Sequence, residues 1–407
     1  MIHMRRDDVR YLAGSEEVQV RPVVPFAEQV CDFLDGLSKV ILKDSVLKSY
    51  PDVVSFAFWI RRGNICKQKE LFQSQACRIG KGLAFHIAPS NVPINFAYSF
   101  VFGLLAGNSN IVRVSSKDFP QVRLLCEKIQ EVMDREEYKE IRQGNAIVMY
   151  DRNKEITDVF SAICDVRVIW GGDRTIAEIR TSPLKPRAKE IVFADRYSLG
   201  IIDPDAILSM SEQDRTALAE KFYNDTYLMD QNACSAPHII FWKSEQEGKV
   251  KKAQDLFWNA VFKVAKKYEL ADSKVSDKYT DLCLYAAKHK GEKEQTVTEG
   301  TGKVRFYENL LYVVDLEKVS EEITDLRGRF GMFYECQIAS LDEITHGITE
   351  KVQTVAVAGV DAKEVKEFVI ANHLSGIDRI VPFGSTLDIG LLWDGYDLIG
   401  EMSRVVL

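Results

Sequence analysis

A chain of 407 residues is long for a single core and suits two or three domains. Hydrophobic residues at 46%, charged residues at 28% and a formal net charge of -7 describe an ordinary soluble globular protein with no positive field for nucleic-acid phosphates. Residues 1–10 are charged with no apolar run behind them, which predicts no secretory signal. The longest apolar run, 93–106, falls short of the ~20 residues a membrane helix needs and carries Asn95, Tyr98 and Ser99. Eight cysteines lie scattered without a Cys-x-x-Cys pair, so neither a zinc site nor a disulfide framework is expected, and the chain reads as cytoplasmic with reduced thiols.

In chain order, the first eighty residues read as an irregular lead-in followed by helices, with helical spacing over 26–42 (Val30, Phe33, Leu34, Leu37, Ile41). A strand over 83–88, a turn and an apolar helix over 93–106 follow, with Pro93 suited to the first turn and Gly107-Asn108 as a stop. Strands over 110–114, 146–150, 166–170 and 189–194 alternate with helices over 118–133, near 156–164 and after Gly171-Gly172-Asp173. Strict alternation with short links predicts a doubly wound, largely parallel sheet in residues 1–203. A second α/β unit, 204–385, holds a helix over 212–224, a strand over 238–242, a helix over 254–268, strands over 310–314, 335–340 and 352–358, and a helix over 362–372. Residues 288–303 read as a polar surface loop, and 386–407 as a glycine- and aromatic-rich tail returning to the domain interface.

Two short polar loops beside apolar runs offer chemistry. Asp230-Gln231-Asn232-Ala233-Cys234-Ser235-Ala236-Pro237-His238 presents a thiol, and Ala88-Pro89-Ser90-Asn91-Val92-Pro93 a side-chain amide. A thiol nucleophile and an amide donor to an oxyanion are what reversible acyl transfer to sulfur requires. The plain alternative for Cys234 is a small buried hydrophobe, which suits the other seven cysteines on helical or strand patterns. His238, four residues on, follows the start of a strand at Pro237 and reads as structural rather than as a partner of Cys234. Gly171-Gly172 between strand and helix forms a possible pyrophosphate cradle. It lacks the full Gly-x-Gly-x-x-Gly, and a tight turn with Asp173 as N-cap fits as well. Arg113, with Ser115 and Ser116 behind it, could grip a phosphate, or simply be a solvated strand end. Lys249–Lys252 and Glu321-Glu322 read as solvated faces.

On these residues the chain resembles the acyl-CoA (fatty acid) reductases of the bacterial luminescence type, a branch of the aldehyde dehydrogenase superfamily. The resemblance is clearest in residues 86–113, 230–238 and Trp393-Asp394-Gly395-Tyr396-Asp397-Leu398. It implies a Rossmann-type cofactor domain joined to a second α/β catalytic domain. The superfamily's Pro-x-Asn-x-Pro oxyanion amide falls on Asn91, its catalytic cysteine on Cys234, and the basic residue holding the adenosine ribose or its phosphate on Arg113. Where enzymes preferring the unphosphorylated cofactor often carry a glutamate, this chain has Ser116, which implies NADPH rather than NADH. Residues 193–200 (Phe-Ala-Asp-Arg-Tyr-Ser-Leu-Gly) lack the glutamate base of hydrolytic relatives, which fits reduction of an acyl thioester. The superfamily's Glu-x-Phe glutamate has no counterpart around Arg329-Phe330-Gly331.

The implied reaction is NADPH-dependent reduction of a fatty acyl thioester to the aldehyde through a thioacyl enzyme on Cys234. The resemblance also implies an acyl-protein synthetase or acyl transferase as partner and a homo-oligomer. Three alternatives stay open: a short-chain aldehyde or semialdehyde dehydrogenase, a non-catalytic subunit of an acyl-processing complex, and a cofactor-free Cys–His acyltransferase.

Overall fold

The computed structural model describes residues 9–72, 76–288, 304–319 and 321–407. The expectations for residues 1–8 and 289–303 lie outside them. The chain forms two compact units: Met1–Asp195 with Gly390–Leu407, and Arg196–Ile389.

The first unit carries strands β1 (Arg10–Gly14), β2 (Cys77–Gly80), β3 (Leu83–Ile87), β4 (Ser109–Val114), β5 (Asn145–Met149), β6 (Val166–Trp170) and β7 (Lys189–Phe193). Six of them make one sheet in the order β1-β5-β4-β3-β6-β7, parallel except for β1, which runs against β5. Every residue of β3 and β6 is buried, the signature of a parallel strand covered on both faces. The helix Asn95–Leu105 is apolar nearly all round and buries Phe96, Phe100, Phe102 and Leu105 among others. It ends at Gly107, where φ is 85° and a β-carbon would stand 2.0 Å from the Val23 carbonyl oxygen. The helix Pro120–Met133 is one-sided instead, burying Val122, Leu125, Cys126, Ile129 and Val132. Ser403–Val406 pairs antiparallel with β2, so the end of the chain belongs to this unit.

One polar row crosses this core, and its hydrogen bonds have a defined direction. Trp170 Nε1 donates to Ser99 Oγ (3.0 Å), which donates to His86 Nδ1 (2.8 Å). His86 Nε2 donates to Asn110 Oδ1 (3.0 Å), and Asn110 Nδ2 to Asn145 Oδ1 (2.8 Å). Burial pushes the His86 pKa down to about 4, so the ring is neutral and its tautomer is set by its neighbours. The row is fully satisfied, which makes it a source of uniqueness rather than cost. Gly103 makes room for it: a β-carbon there would lie 1.8 Å from Asn110 Oδ1.

The second unit carries β8 (Tyr197–Ile202), β9 (Pro237–Lys243), β10 (Val304–Tyr307), β11 (Leu311–Leu316), β12 (Met332–Ile338), β13 (Val352–Ala358) and β14 (Arg379–Pro382). Their order is β10-β11-β12-β9-β8-β13-β14, parallel except for β10. Leu199, Ile239, Phe241 and Val355 pack on one face, and Ile240, Trp242, Phe222, Trp258 and Phe333 on the other. The buried Glu335 is neutralised where it stands. Its Oε2 accepts from Trp242 Nε1 (2.8 Å) and Trp258 Nε1 (2.7 Å), and Oε1 pairs with Arg305.

Several elements differ from the sequence reading. The apolar helix begins at Asn95, not Pro93, because residues 93 and 94 form a turn in which Val92 O accepts from Asn95 N (3.3 Å). The helix expected over 254–268 is Glu247–Ala265 and takes in the lysine-rich stretch. β1, β14 and the helix Asp272–Lys288 have no counterpart in the sequence reading. The units divide after Asp195 and Ile389, whereas the sequence reading set boundaries at 203 and 385. β8 pairs with β9 and β13, which places residues 197–202 in the second unit.

Candidate active site

In the first unit the chain steps from β3 outward through β4 to β5, then returns to the far side of β3 as β6. Strand order therefore reverses between β3 and β6, and in open α/β sheets ligands bind at the carboxyl edge of such a switch point. The loop after β3 carries Asn91, the loop after β4 carries Ser115 and Ser116, and the loop after β6 carries Gly171 and Gly172. Asn91, Ser116 and Gly172 are exposed. Arg113, in the last turn of β4, pairs in register with Ile87 and Val148. The sheet thus brings all the cofactor residues predicted for this unit to one edge, together with Asn91.

These residues include groups that could hold a nucleotide phosphate. Arg113 is half-buried, with one Nη donating to the Tyr150 carbonyl (3.2 Å) and the guanidinium over the Tyr150 ring at 5.0 Å. Its Nε is buried and has no partner among the described residues, a donor still to be satisfied. Ser115 Oγ accepts from Lys117 N (3.2 Å), which orders the turn behind it. Gly171 N is bound to Phe193 O (3.1 Å), whereas a β-carbon on Gly172 would meet nothing within 4 Å. Gly172, not Asp173, is the N-cap of the helix Asp173–Arg180, so the turn-with-Asp-cap reading is replaced by a helix start with no side-chain cap. Trp170, one residue earlier, stacks on Phe193 at 3.6 Å between centroids, and Phe193 meets Tyr396 edge-on.

Cys234 lies in the second unit on the loop entering β9. A 3-10 turn, Tyr227–Met229, ends at Asp230 and Gln231, both left-handed (φ 54° and 60°). Left-handed backbone at two consecutive non-glycine residues stores strain and needs holding. Gln231 holds it: buried, its Oε1 accepts from Gly331 N (2.7 Å) and its Nε2 donates to Met332 O (3.0 Å). The Asp230 carboxylate accepts from Tyr268 OH and from Lys274 Nζ (2.9 Å). Beyond it, Ala236 N bonds to Ala233 O (3.0 Å) and Ser198 Oγ donates to Cys234 O (2.7 Å). The thiol is half-buried.

The other cysteines separate from it cleanly. Six lie within helices or strands and Cys164 caps a helix. Burial pushes Cys164 and Cys336 up to about 12 and Cys126 higher still, which keeps them as inert thiols. Cys66, Cys77 and Cys283 are exposed on regular elements.

Several residues of this unit were not legible beforehand. Ser198, Thr354 and Arg379 stand side by side at the starts of β8, β13 and β14. Burial lowers the Arg379 pKa, and its guanidinium donates to the carbonyls of Ser385 (2.7 Å), Thr386 (2.8 Å) and Asp388 (2.7 Å). The same loop is held from its amides by Asp225, which accepts from Gly384 N (2.6 Å) and Thr386 N (3.1 Å). Burial raises the Asp225 pKa to about 6. The sequence signal for this loop, Pro382-Phe383-Gly384, is short and carries no titratable group. His238 is structural: buried, its Nδ1 donates to Gly328 O (3.0 Å) and its ring stacks on Tyr197. Burial and the nearby Arg327 charge lower its pKa to about 4. Among the described residues no group of three His, Cys, Asp or Glu side chains could hold a metal, and no helix is long and apolar enough to cross a membrane.

Solved structures with this arrangement are aldehyde dehydrogenases. Indole-3-acetaldehyde dehydrogenase in complex with NAD+ superimposes with a TM-score of 0.64 at 11% identity, covering 94% of this chain and 84% of that one. Lactaldehyde dehydrogenase from Escherichia coli gives 0.62 at 13% identity, over 93% and 85%. The fold is thus that of the aldehyde dehydrogenases. Residues 61–405 match the family described as acyl-CoA reductase (LuxC), and the chain belongs to that family of acyl-thioester oxidoreductases. It is 23% identical to long-chain acyl-protein thioester reductase 2 of Photobacterium leiognathi, covering 98% of this chain and 76% of that protein. It is 26% identical to the long-chain acyl-protein thioester reductase of Photobacterium phosphoreum over 165 residues, 40% of this chain and 31% of that protein.

Proposed function

We propose that this protein reduces a long-chain acyl thioester to the aldehyde with NADPH, through a thioacyl enzyme on Cys234. The observation that carries the reading is the Cys234 loop, which offers a half-buried thiol on a strained, strapped turn in a member of the acyl-CoA reductase (LuxC) family. The Cys234 sulfur attacks the acyl carbonyl carbon, forming a new C–S bond, while the oxyanion takes hydrogen bonds from the Cys234 main-chain amide and the Asn91 side chain. The carrier thiolate leaves with the electrons of the old C–S bond and takes a proton from solvent. The nicotinamide, when bound, supplies a hydride to the acyl carbon. The hemithioacetal oxyanion on Cys234 then collapses, the C–S bond breaks, and the aldehyde departs from a regenerated thiolate.

Arg113, Ser115, Ser116, Gly171 and Gly172 are the residues we assign to the cofactor. An unpartnered Arg113 Nε and an exposed Ser116, where a carboxylate would repel, support a 2′-phosphate and hence NADPH. The stretch Phe193–Gly200 holds Asp195 but no glutamate, which supports a thioester-preserving chemistry. The relatives' names support a long acyl chain on a protein thiol, and the family's description supports coenzyme A as carrier as well. An acyl-activating partner such as an acyl-protein synthetase or acyl transferase, a homo-oligomer and a cytoplasmic location complete the reading. The test is NADPH oxidation with tetradecanoyl-CoA and with acetyl-CoA. Preference for the long chain is expected. Turnover of only the short thioester, or of free aldehydes with NAD+, would replace the reading with a short-chain dehydrogenase.

A further inference from the structure

Lys278 has no part in the chemistry above, yet it is fully buried. Burial pushes its pKa down to about 7, and among the described residues it has no carboxylate partner. Its Nζ donates instead to the carbonyls of Asn309 and Phe330 (2.8 Å for Phe330) and lies 4.4 Å from the centroid of the Tyr312 ring. Burying an amine is costly unless hydrogen bonds compensate it, and here two main-chain carbonyls do so.

What it fixes is the second half of a strained pair. Phe330 and Gly331 are left-handed (φ 57° and 87°), like Asp230 and Gln231. Gly331 has a steric reason, since a β-carbon there would come within 2.2 Å of Leu310 O. The three others are not glycine, and non-glycine residues in this sparsely populated region are strained. The two strained pairs face each other and are joined by three hydrogen bonds. Phe330 N donates to Asp230 O (3.4 Å), Gly331 N to Gln231 Oε1 (2.7 Å), and Gln231 Nε2 to Met332 O (3.0 Å). One helix, Asp272–Lys288, ties down the outside of both. Lys274 Nζ holds Asp230 (2.9 Å), Lys278 Nζ holds the Phe330 carbonyl, and Asp281 takes two bonds from Arg329 (2.5 and 3.0 Å).

We propose that Lys278 and Gln231 are positioning residues for Cys234, locking the 230–231 and 330–331 pairs together against the helix Asp272–Lys288 and so fixing the loop that presents the thiol. The inference rests on the reading of Cys234 as nucleophile. Cys234 is three residues past Gln231, and the turn between them bonds locally, Asn232 N to Met229 O (2.8 Å), with Ser198 Oγ holding the Cys234 carbonyl (2.7 Å) at its end. Freeing the left-handed pair would therefore move the sulfur. A displacement of about 1 Å at a reacting atom can cost on the order of a hundredfold in rate.

The test compares Lys278→Met, Gln231→Met and the double variant in the full-length protein, with Lys288→Met at the exposed end of the same helix as control. Single-turnover acyl transfer from tetradecanoyl-CoA should fall about tenfold or more in each single variant. It should fall no further in the double, because two members of one relay do not act additively. NADPH affinity and the control variant should stay within about twofold of the parent protein. Multiplicative effects, wild-type acyl transfer in folded variants, or an equal loss of NADPH affinity would overturn the inference. If Lys278→Met does not fold, Gln231→Glu, which keeps the acceptor for Gly331 N, decides alone by the same measurement. Alkylation of Cys234 by iodoacetamide separates the two levels. Turnover surviving Cys234→Ala defeats the functional reading, while an unchanged alkylation rate in the relay variants defeats the positional one.

Discussion

The two units work one sheet design from opposite edges. In the first, the candidate residues follow β3, β4 and β6, at the carboxyl edge, and they are open: Asn91, Ser116 and Gly172 are exposed. In the second, Cys234 comes before β9, and Ser198 and Arg379 stand at the starts of their strands. Here nearly every polar group is engaged, by Gln231, Asp230, Ser198, Lys278 and Asp225. The difference fits two tasks. A carboxyl edge with a helix start behind it receives a ligand through groups left free. A nucleophile has to be held before anything arrives, and side-chain straps do that.

Several experiments would break or sharpen this contrast. The largest effect should come from Cys234→Ala, which removes the proposed nucleophile and should lower turnover by about 10⁴-fold or more while leaving NADPH affinity unchanged, as titration would show. Asn91→Ala should cost about 10²–10³-fold in kcat, with much less change in KM, if its amide meets the developing oxyanion. A KM-only effect would place Asn91 outside the chemistry. Arg113→Gln should weaken NADPH binding by about tenfold and NADH binding hardly at all, since a charge-assisted bond to a phosphate is worth roughly 1.5–3 kcal/mol. Equal losses for both cofactors would return Arg113 to a structural role.

Acid stability distinguishes the units. His86 and His238 each have folded pKa values of about 4 against an unfolded 6.5, so each unit binds fewer protons folded than unfolded in that window. Their contribution is complete above pH 6.5 and is lost as pH falls to about 4, by roughly 3 kcal/mol each. Asp225, raised to about 6, has the opposite sign. It contributes stability below its unfolded value that is lost as pH rises through 6, so it offsets part of the loss in the second unit. Hydrogen exchange between pH 7 and 4.5 should show the first unit loosening earlier. Equal loosening in both would contradict these assignments.

Much of this was legible in the sequence. Most central strands of both sheets announced themselves as apolar runs, and β6 and β13 fall on the residues predicted. Cys234 stood out because its neighbours are small or polar, Arg113 because it ends a strand, and Ser115, Ser116, Gly171 and Gly172 because they follow strands. What stayed hidden depends on distant pairing. β8 and β14 gain identity only from neighbours in the sheet, and the helix Asp272–Lys288 buries little of its own surface, so its periodicity is faint. Lys278 reads as one lysine among many. Only the carbonyls of Phe330 and Asn309, far along the chain, make it a buried anchor. The polar row through His86 is similar, since four of its members come from different strands and pair only when the sheet forms.

The most direct test of the central claim is the intact mass of the protein after incubation with tetradecanoyl-CoA in the absence of cofactor, followed by addition of NADPH. The account predicts one tetradecanoyl group in thioester linkage to Cys234, which NADPH then discharges as tetradecanal. Turnover of tetradecanoyl-CoA and NADPH with no adduct on Cys234, and unaffected by Cys234→Ala, would contradict it.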